Sequence, residues 1–511
     1  MRKFLLFCLC SLAVICVQAQ SSYPASVMAI LSKAGKNKSE LEKALQYFYR
    51  QGDPLKIKAI EFLIANMDIH YSADYFWADT NGRQVPFNEF DYPSFTESLQ
   101  AFDQLKSTYP GLHPVASRRR DFDIVKAEFL IDNVNNAFEV RKNPRAQKLS
   151  FAQFCEYILP YRASVEPLQN WRTTYRQKYA WLFDSTGSQS ITALLQQFAA
   201  DMHVWFTNTF EINKRREPLP RLGALQLLHR KSGPCEDIAG LVTFALRSQG
   251  YMVANDAVTY WATSTGSHFF NSTLNDSLQS IRFDVSSPAV RFTTFAREPA
   301  KVIRSTYSKQ SGTLATFEAP SNIPDCFLRS SNYIDVTHEY WETRDVHAQL
   351  FPLRNQPRVP RVAYIAVFNG FKWRPTWWGK VKDNATVFTN MCKGAVFLPM
   401  YCLQGKMVPA GYPVASGYTN TMVLKPDTID TRPVQINQQE KYLFFRPGKK
   451  YRLFYWNNAW KLAGMQTAAE GATSMTFQGV PRNALLLLVP EYSQGKERPF
   501  MITDNNERVW W

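Results

Sequence analysis

"SGPCEDIAGLVTFALRSQGYMVA", residues 232–254, sets a cysteine directly behind a Gly-Pro break and at the head of an apolar repeat. Ile238, Leu241, Val242 and Ala245 recur at three- and four-residue steps, which predicts a helix over 235–249 with one buried face. Pro234 fixes the chain entry, and Gly233 allows a close backbone approach. Cys235 lies in line with the apolar stripe, and a buried, inert thiol is a common fate for cysteine. Its position argues otherwise. Unpaired N–H groups and the positive dipole end of a helix lower a thiol pKa and can hold an oxyanion. Glu236 and Asp237 suit a first helical turn but oppose a thiolate, so a reactive Cys235 needs a basic partner.

That partner is found downstream. Short segments rich in aromatic and β-branched residues, "YMVANDAVTYWA" (251–262), "HFFNSTL" (268–274) and "SIRFDVSS" (280–287), predict three strands after the helix. A helix followed by neighbouring strands is an α+β unit. His268 begins the second strand, and Asp284 lies on the third; Asp276 competes for the same role from a turn-like "NDS" context. An imidazole that takes the thiol proton and a carboxylate that fixes its tautomer are what a cysteine nucleophile requires. His203 and His229 fall in helical stretches and read as structural or exposed.

In this order, "GPCEDIAGLVTFALRSQGY … W … GSHFFN … FD" resembles the transglutaminase-like superfamily, a papain-like fold. Its Gly-x-Cys helix ends in Leu-Arg-x-x-Gly and is followed by His before an aromatic, then by Asp. These positions fall on Cys235, Leu246-Arg247, Gly250, His268 and Asp284, and the likeness spans about 165–300. "LPYRASVEPLQNWR" (159–172) is further similar to large exported transglutaminase-like proteins of Bacteroidetes type. The resemblance implies a Cys235-His268-Asp284 triad. Trp261, seven residues before His268, is the candidate cleft wall, while Tyr161, Arg162 and Glu166, in the motif that the wider resemblance marks, are candidates either to reach substrate or to stabilise a helix junction. No calcium or other cofactor is expected, since no metal-ligand spacing, EF-hand loop or phosphate-binding Gly loop occurs.

The rest of the 511 residues frames this unit. Arg2 and Lys3 precede an apolar run from Phe4 to Val17, and "VQA" supplies a cleavage site, so residues 1–20 read as an export signal. Secreted or periplasmic localisation follows; Val14 and Ile15 make Cys16 a poor lipid-attachment site. Losing Arg2 and Lys3 lowers the formal charge from +16 to +14. The remaining bases are scattered apart from Arg118-Arg119-Arg120, a pattern that argues for a solvated surface and against nucleic acid. Five cysteines remain (Cys155, Cys235, Cys326, Cys392, Cys402), so at least one thiol stays free; Cys392 and Cys402 are the expected pair.

Residues 21–164 carry helical periodicity, as in "LEKALQYFYR" (41–50) and "LKIKAIEFLIANM" (55–67), with Asp53-Pro54 and Glu166-Pro167 as helix starts. Short strands dominate beyond 330, and "KPDTIDTRPVQ" (425–435) reads as a linker between two β-sandwich modules. The expected organisation is multidomain α+β: a signal (1–20), a helical region (21–164), a transglutaminase-like α+β core (165–330) and β-sandwiches over 331–430 and 431–511. The expected activity is acyl transfer or hydrolysis at an amide or peptide carbonyl, with a protein, peptide or glycopeptide substrate. The competing expectation is a non-catalytic scaffold. In it, aromatic clusters "FKWRPTWWGK" (371–380) and "YRLFYWNNAW" (451–460) contact glycans rather than fill sandwich cores.

Overall fold

The computed structural model describes residues 23–184, 189–209, 221–275, 277–292, 295–353, 360–440 and 443–511. The proposed export signal, Asp276 and most of the proline-rich 354–361 stretch lie outside them. The fold is mixed α+β.

Helices α1 (Ala25–Lys33), α2 (Lys38–Gln51) and α3 (Pro54–Ala65) share one apolar core with a later helix, Ala127–Val140. Asp53 caps α3 as its sequence suggests, its Oδ1 accepting from the Leu55 N–H at 2.9 Å. The helical reading of this region is incomplete. An antiparallel sheet interrupts it, built from β1 (Tyr71–Ala78), β2 (Gln84–Val85) and β3 (His113–Arg120), with helix α4 (Phe95–Thr108) between β2 and β3. Strand β3 shows no apolar alternation because it is largely exposed; its pairing with β1, from Tyr71↔Arg120 to Ala78↔His113, holds it in place. The arginine run therefore lies along a strand, with Arg119 bonded to Asp74 at 2.6 Å and Arg118 over the Tyr71 ring.

Beyond this layer, α5 (Ala127–Val140) is followed by a second correction. Glu166-Pro167 does not open a helix; α6 begins at Arg172 and runs to Lys178. Glu166 instead closes a tight turn. Its carboxylate accepts from the N–H groups of Ala163 and Ser164, and its carbonyl accepts from Arg162. Helices α7 (Ile191–Trp205) and α8 (Ala224–Arg230) lead to α9 (Cys235–Ser248), which begins at the predicted residue. Ile238, Leu241, Val242 and Ala245 form its buried face, packed with Trp171, Tyr175 and Phe198.

Strands β4 (Ala254–Val258), β5 (His268–Leu274) and β6 (Ser280–Phe283) follow as expected. Two more, β7 (Val302–Ser305) and β8 (Tyr333–Asp335), complete an antiparallel sheet of order β8-β7-β4-β5-β6.

Beyond Tyr340 the elements of the described residues are all strands. The central strands, Val362–Asn369 and Ala395–Leu403, are buried on both faces. Val362, Tyr364 and Ala366 enter one core, while Ala363, Ile365 and Val367 enter another. This two-sided burial corrects the disulfide expectation. Cys392 lies in the second core and Cys402 in the first, so the sheet separates them, and all five described cysteines are free thiols. Residues 425–435 are not a linker either, since Asp427–Asn437 is a strand paired with Ser474–Arg482. The two aromatic clusters meet between sheets: Trp373 lies 5.3 Å from Trp456, and Phe368 lies 5.5 Å from Trp460, all edge to face.

Arg162 is fixed by a buried bidentate pair with Asp121, with side chains 2% and 0% exposed. Replacing Asp121 with Ala leaves that guanidinium buried without its counter-charge, so unfolding in urea should show a loss of about 3–5 kcal/mol. A loss below about 1 kcal/mol would show that the pair does not brace the fold.

Candidate functional site

Cys235 is the first residue of α9, behind Pro234, and is partly exposed. The Asp237 and Ile238 N–H groups bond back to the Pro234 carbonyl, so the Cys235 N–H lies ahead of the first bond of the helix. Gly233 is required here: a Cβ at this position would overlap the Asp237 carboxylate, which folds back under the turn. Gly233 also pairs in parallel with Asn208, which anchors the entry to the end of α7.

His268 is the first residue of β5, opposite Val258 of β4. Its Nε2 bonds Asp284 Oδ2 at 2.9 Å. That contact leaves Nδ1 for other partners, and the Cys235 side chain is near enough to the same ring to help raise its pKa. The structure thus brings the three predicted residues together from a helix start, a strand start and the segment just after β6.

The electrostatics follow from burial and contact. Burial alone would lower the His268 pKa, but the hydrogen bonds and charges of Asp284 and Cys235 raise it to about 9. Burial alone would raise Asp284; the hydrogen bond and charge of His268, with the Ser286 side chain and N–H, pull it down to about 2. At neutral pH the pair is an imidazolium held on a carboxylate, with the positive ring beside the sulfur. The other thiols are electrostatically different. Burial raises Cys155 to about 12 and Cys326 to about 11, and pushes Cys392 and Cys402 up as well.

Trp261 stacks near-parallel to His268 at 6.1 Å, so the expected cleft-wall residue is beside the ring. Phe270 stacks at 5.8 Å, a contact that sequence reasoning missed although the two-residue strand period places it on the same face as His268. Also missed was Arg221. It pairs with Glu236 and stacks on Phe269 at 4.8 Å, offsetting the acid beside the thiol. No pattern in "EPLPRLGAL" marks it.

Tyr161, Arg162 and Glu166 occupy a different position. They are 2%, 3% and 5% exposed, and Tyr161 donates to Asp121 at 2.8 Å. Glu166 shares the lining of a small cavity with Glu236 and Asp237, whereas Tyr161 and Arg162 face inward to Asp121 and Ser72. His203 is half-buried and bonded to the Val285 carbonyl at 2.9 Å, next to Asp284; His229 packs on Phe90 and Phe95. Among the described residues there is no group of three or more His, Cys, Asp or Glu side chains placed to hold a metal. No helix among them is long and apolar enough to cross a membrane.

No protein-family model matches the chain, and no curated protein does. Among solved structures, it is weakly similar to the crystal structure of red sea bream transglutaminase. The identity is 10% and the TM-score 0.17, over 84% of this chain and 76% of that one.

Proposed function

We propose that the chain is an exported thiol-dependent enzyme that transfers the acyl group of a carboxamide or peptide bond, with water as the usual acceptor. The supporting observation is the His268 ring, bonded to Asp284 at 2.9 Å, with Cys235 at the head of a helix near enough to help raise the ring's pKa. Cys235 Sγ, its proton held by His268, attacks the carbonyl carbon, and the C=O electron pair moves onto oxygen. The Cys235 N–H at the helix start is the natural donor to that oxyanion. Collapse breaks the C–N bond; the leaving amine takes its proton from His268, and a thioester remains. Water, deprotonated by His268, then attacks the thioester; breaking of the C–S bond releases the acid and restores the sulfur beside His268, which keeps that proton. An amine in place of water would give transamidation by the same steps. Asp284 holds the ring's orientation and its charge. Peptides or glycopeptides are the proposed substrates, because an exported enzyme meets such amides.

Iodoacetamide at pH 7 should alkylate Cys235 at least ~10-fold faster than Cys326, because only a thiolate reacts and burial disfavours that form at Cys326. His268→Ala should remove that advantage. Equal, slow labelling of both thiols, read by peptide mass spectrometry, would sink the proposal.

The pH dependence has a definite sign. The leaving amine needs protonated His268, so kcat/KM on a peptide amide should fall as pH rises through about 9. Asp284→Asn removes the partner charge that raises the ring, and should move this limb down toward about 6.5. An alkaline limb unmoved by Asp284→Asn would exclude His268 as the titrating acid.

A further inference from the structure

A cavity of about 190 Å³ lies between the β1–β3 layer and α8, away from the thiol. Its wall is aromatic: Trp77, Phe87, Phe95 and Phe102 line it, with Trp77 4.5 Å and Phe87 4.9 Å from Phe102 between ring centres. One end is polar. Arg230 is 8% exposed and Glu89 7% exposed, and the Arg230 Nε bonds Glu89 Oε2 at 2.8 Å. Gln226 Nε2 takes the other Glu89 oxygen at 2.7 Å. Both carboxylate oxygens are therefore engaged. Arg230 is one of the residues that line this cavity, and its Nη1 is buried with no hydrogen-bond partner among the described residues.

A buried guanidinium N–H without an acceptor is costly, so it selects a ligand that brings one. The charge is already balanced: Glu89 offsets Arg230, and Asp74, at the rim, is paired with Arg119. A carboxylate ligand would add an uncompensated negative charge and an amine a positive one, so the acceptor must be neutral. The volume admits one ring with a small substituent, since a dry cavity of about 150 Å³ is enough to hold benzene. We propose that this cavity binds a small neutral aromatic carboxamide, its ring among Trp77, Phe95 and Phe102 and its carbonyl oxygen accepting from Arg230 Nη1.

The site is separate from the proposed thiol chemistry, although α8 leads through Lys231–Pro234 into Cys235. The test is titration of the full chain with benzamide, benzoate, benzylamine and toluene, read by calorimetry and by Trp fluorescence. It is repeated on Cys235→Ala, so that an amide lodged at the thiol is not mistaken for this site. Benzamide should bind one-to-one in both proteins, at least ~10-fold more tightly than the other three, a ratio equal to one buried hydrogen bond. Arg230→Met with Glu89→Leu removes the pair without leaving a lone charge, and should abolish the preference for benzamide over toluene. Should that double variant fail to fold, Leu99→Trp, which fills the cavity, should abolish binding of both. Absence of benzamide binding at millimolar concentration, equal affinity for benzamide and toluene, or loss of binding in Cys235→Ala would each overturn the proposal.

Discussion

The Asn271 side-chain amide sits where helix α9 crosses the five-stranded sheet. Its Nδ2 lies 3.1 Å from the Ala239 carbonyl and 3.1 Å from Thr243 Oγ1 on the helix, and 2.9 Å from Asn255 Oδ1 on β4. Thr243 also donates to Asn255 at 2.6 Å, and Asn255 donates to the Ala163 carbonyl at 2.9 Å. Asn271 and Thr243 are buried, where a lost partner costs about 1–3 kcal/mol, so the helix has one favoured position along the strand. His268 is three residues before Asn271 on the same strand, and Cys235 is four residues before Ala239 on the same helix. The two chemical groups are far apart in sequence, and this polar junction sets their separation in space. Apolar packing of the helix in its core gives it stability but not its register on the sheet.

A second set of contacts fixes the third member. Asp284 precedes an irregular segment that would otherwise be free to shift. Helix α7 holds it: Gln196 bonds the Pro288 carbonyl at 2.7 Å and the Val290 N–H at 3.0 Å, and His203 bonds the Val285 carbonyl. Asp284 itself bridges Arg291 through both backbone groups. The carboxylate is thus held in place before it meets the imidazole, which lowers the ordering cost of the pair.

The parts that the sequence made legible are those with a local cause. Helix α9 was visible from its apolar period and Gly-Pro entry, and β5 and β6 from their short aromatic and β-branched runs. His268 and Asp284 were legible because they sit at the ends of such elements. Strand β3 was not, because an exposed strand has no periodic burial to betray it; it is held by pairing with a strand distant in sequence. The Glu166 turn was misread because Glu-Pro is also a fair helix start, and what decides is Arg162 capturing the Glu166 carbonyl, a contact with no local signature. The Cys392–Cys402 spacing suggests a bridge, yet Cys392 belongs to a two-stranded sheet whose core lies on one side of the sheet carrying Cys402, and Cys402 enters the core on the other. The aromatic clusters are each ambiguous alone; Trp373 against Trp456 shows that much of their area is spent on one another.

The acids beside Cys235 pose a conflict that the structure resolves. A helix start favours Glu and Asp because they offset the positive dipole end, and the same charges disfavour a thiolate one or two residues away. Asp237 is 3% exposed and tucked against Gly233, so it serves the turn. Glu236 is neutralised by Arg221, which is itself propped on the Phe269 face. Phe269 follows His268, so the strand that delivers the imidazole also supports the cation that offsets Glu236. The helix thereby keeps acidic residues in its first turn while the sulfur faces a positive ring and one less unbalanced carboxylate. Arg221 is a positioning residue in this arrangement: it acts on the thiol only through Glu236, and its contact with Phe269 couples that effect to the placement of β5.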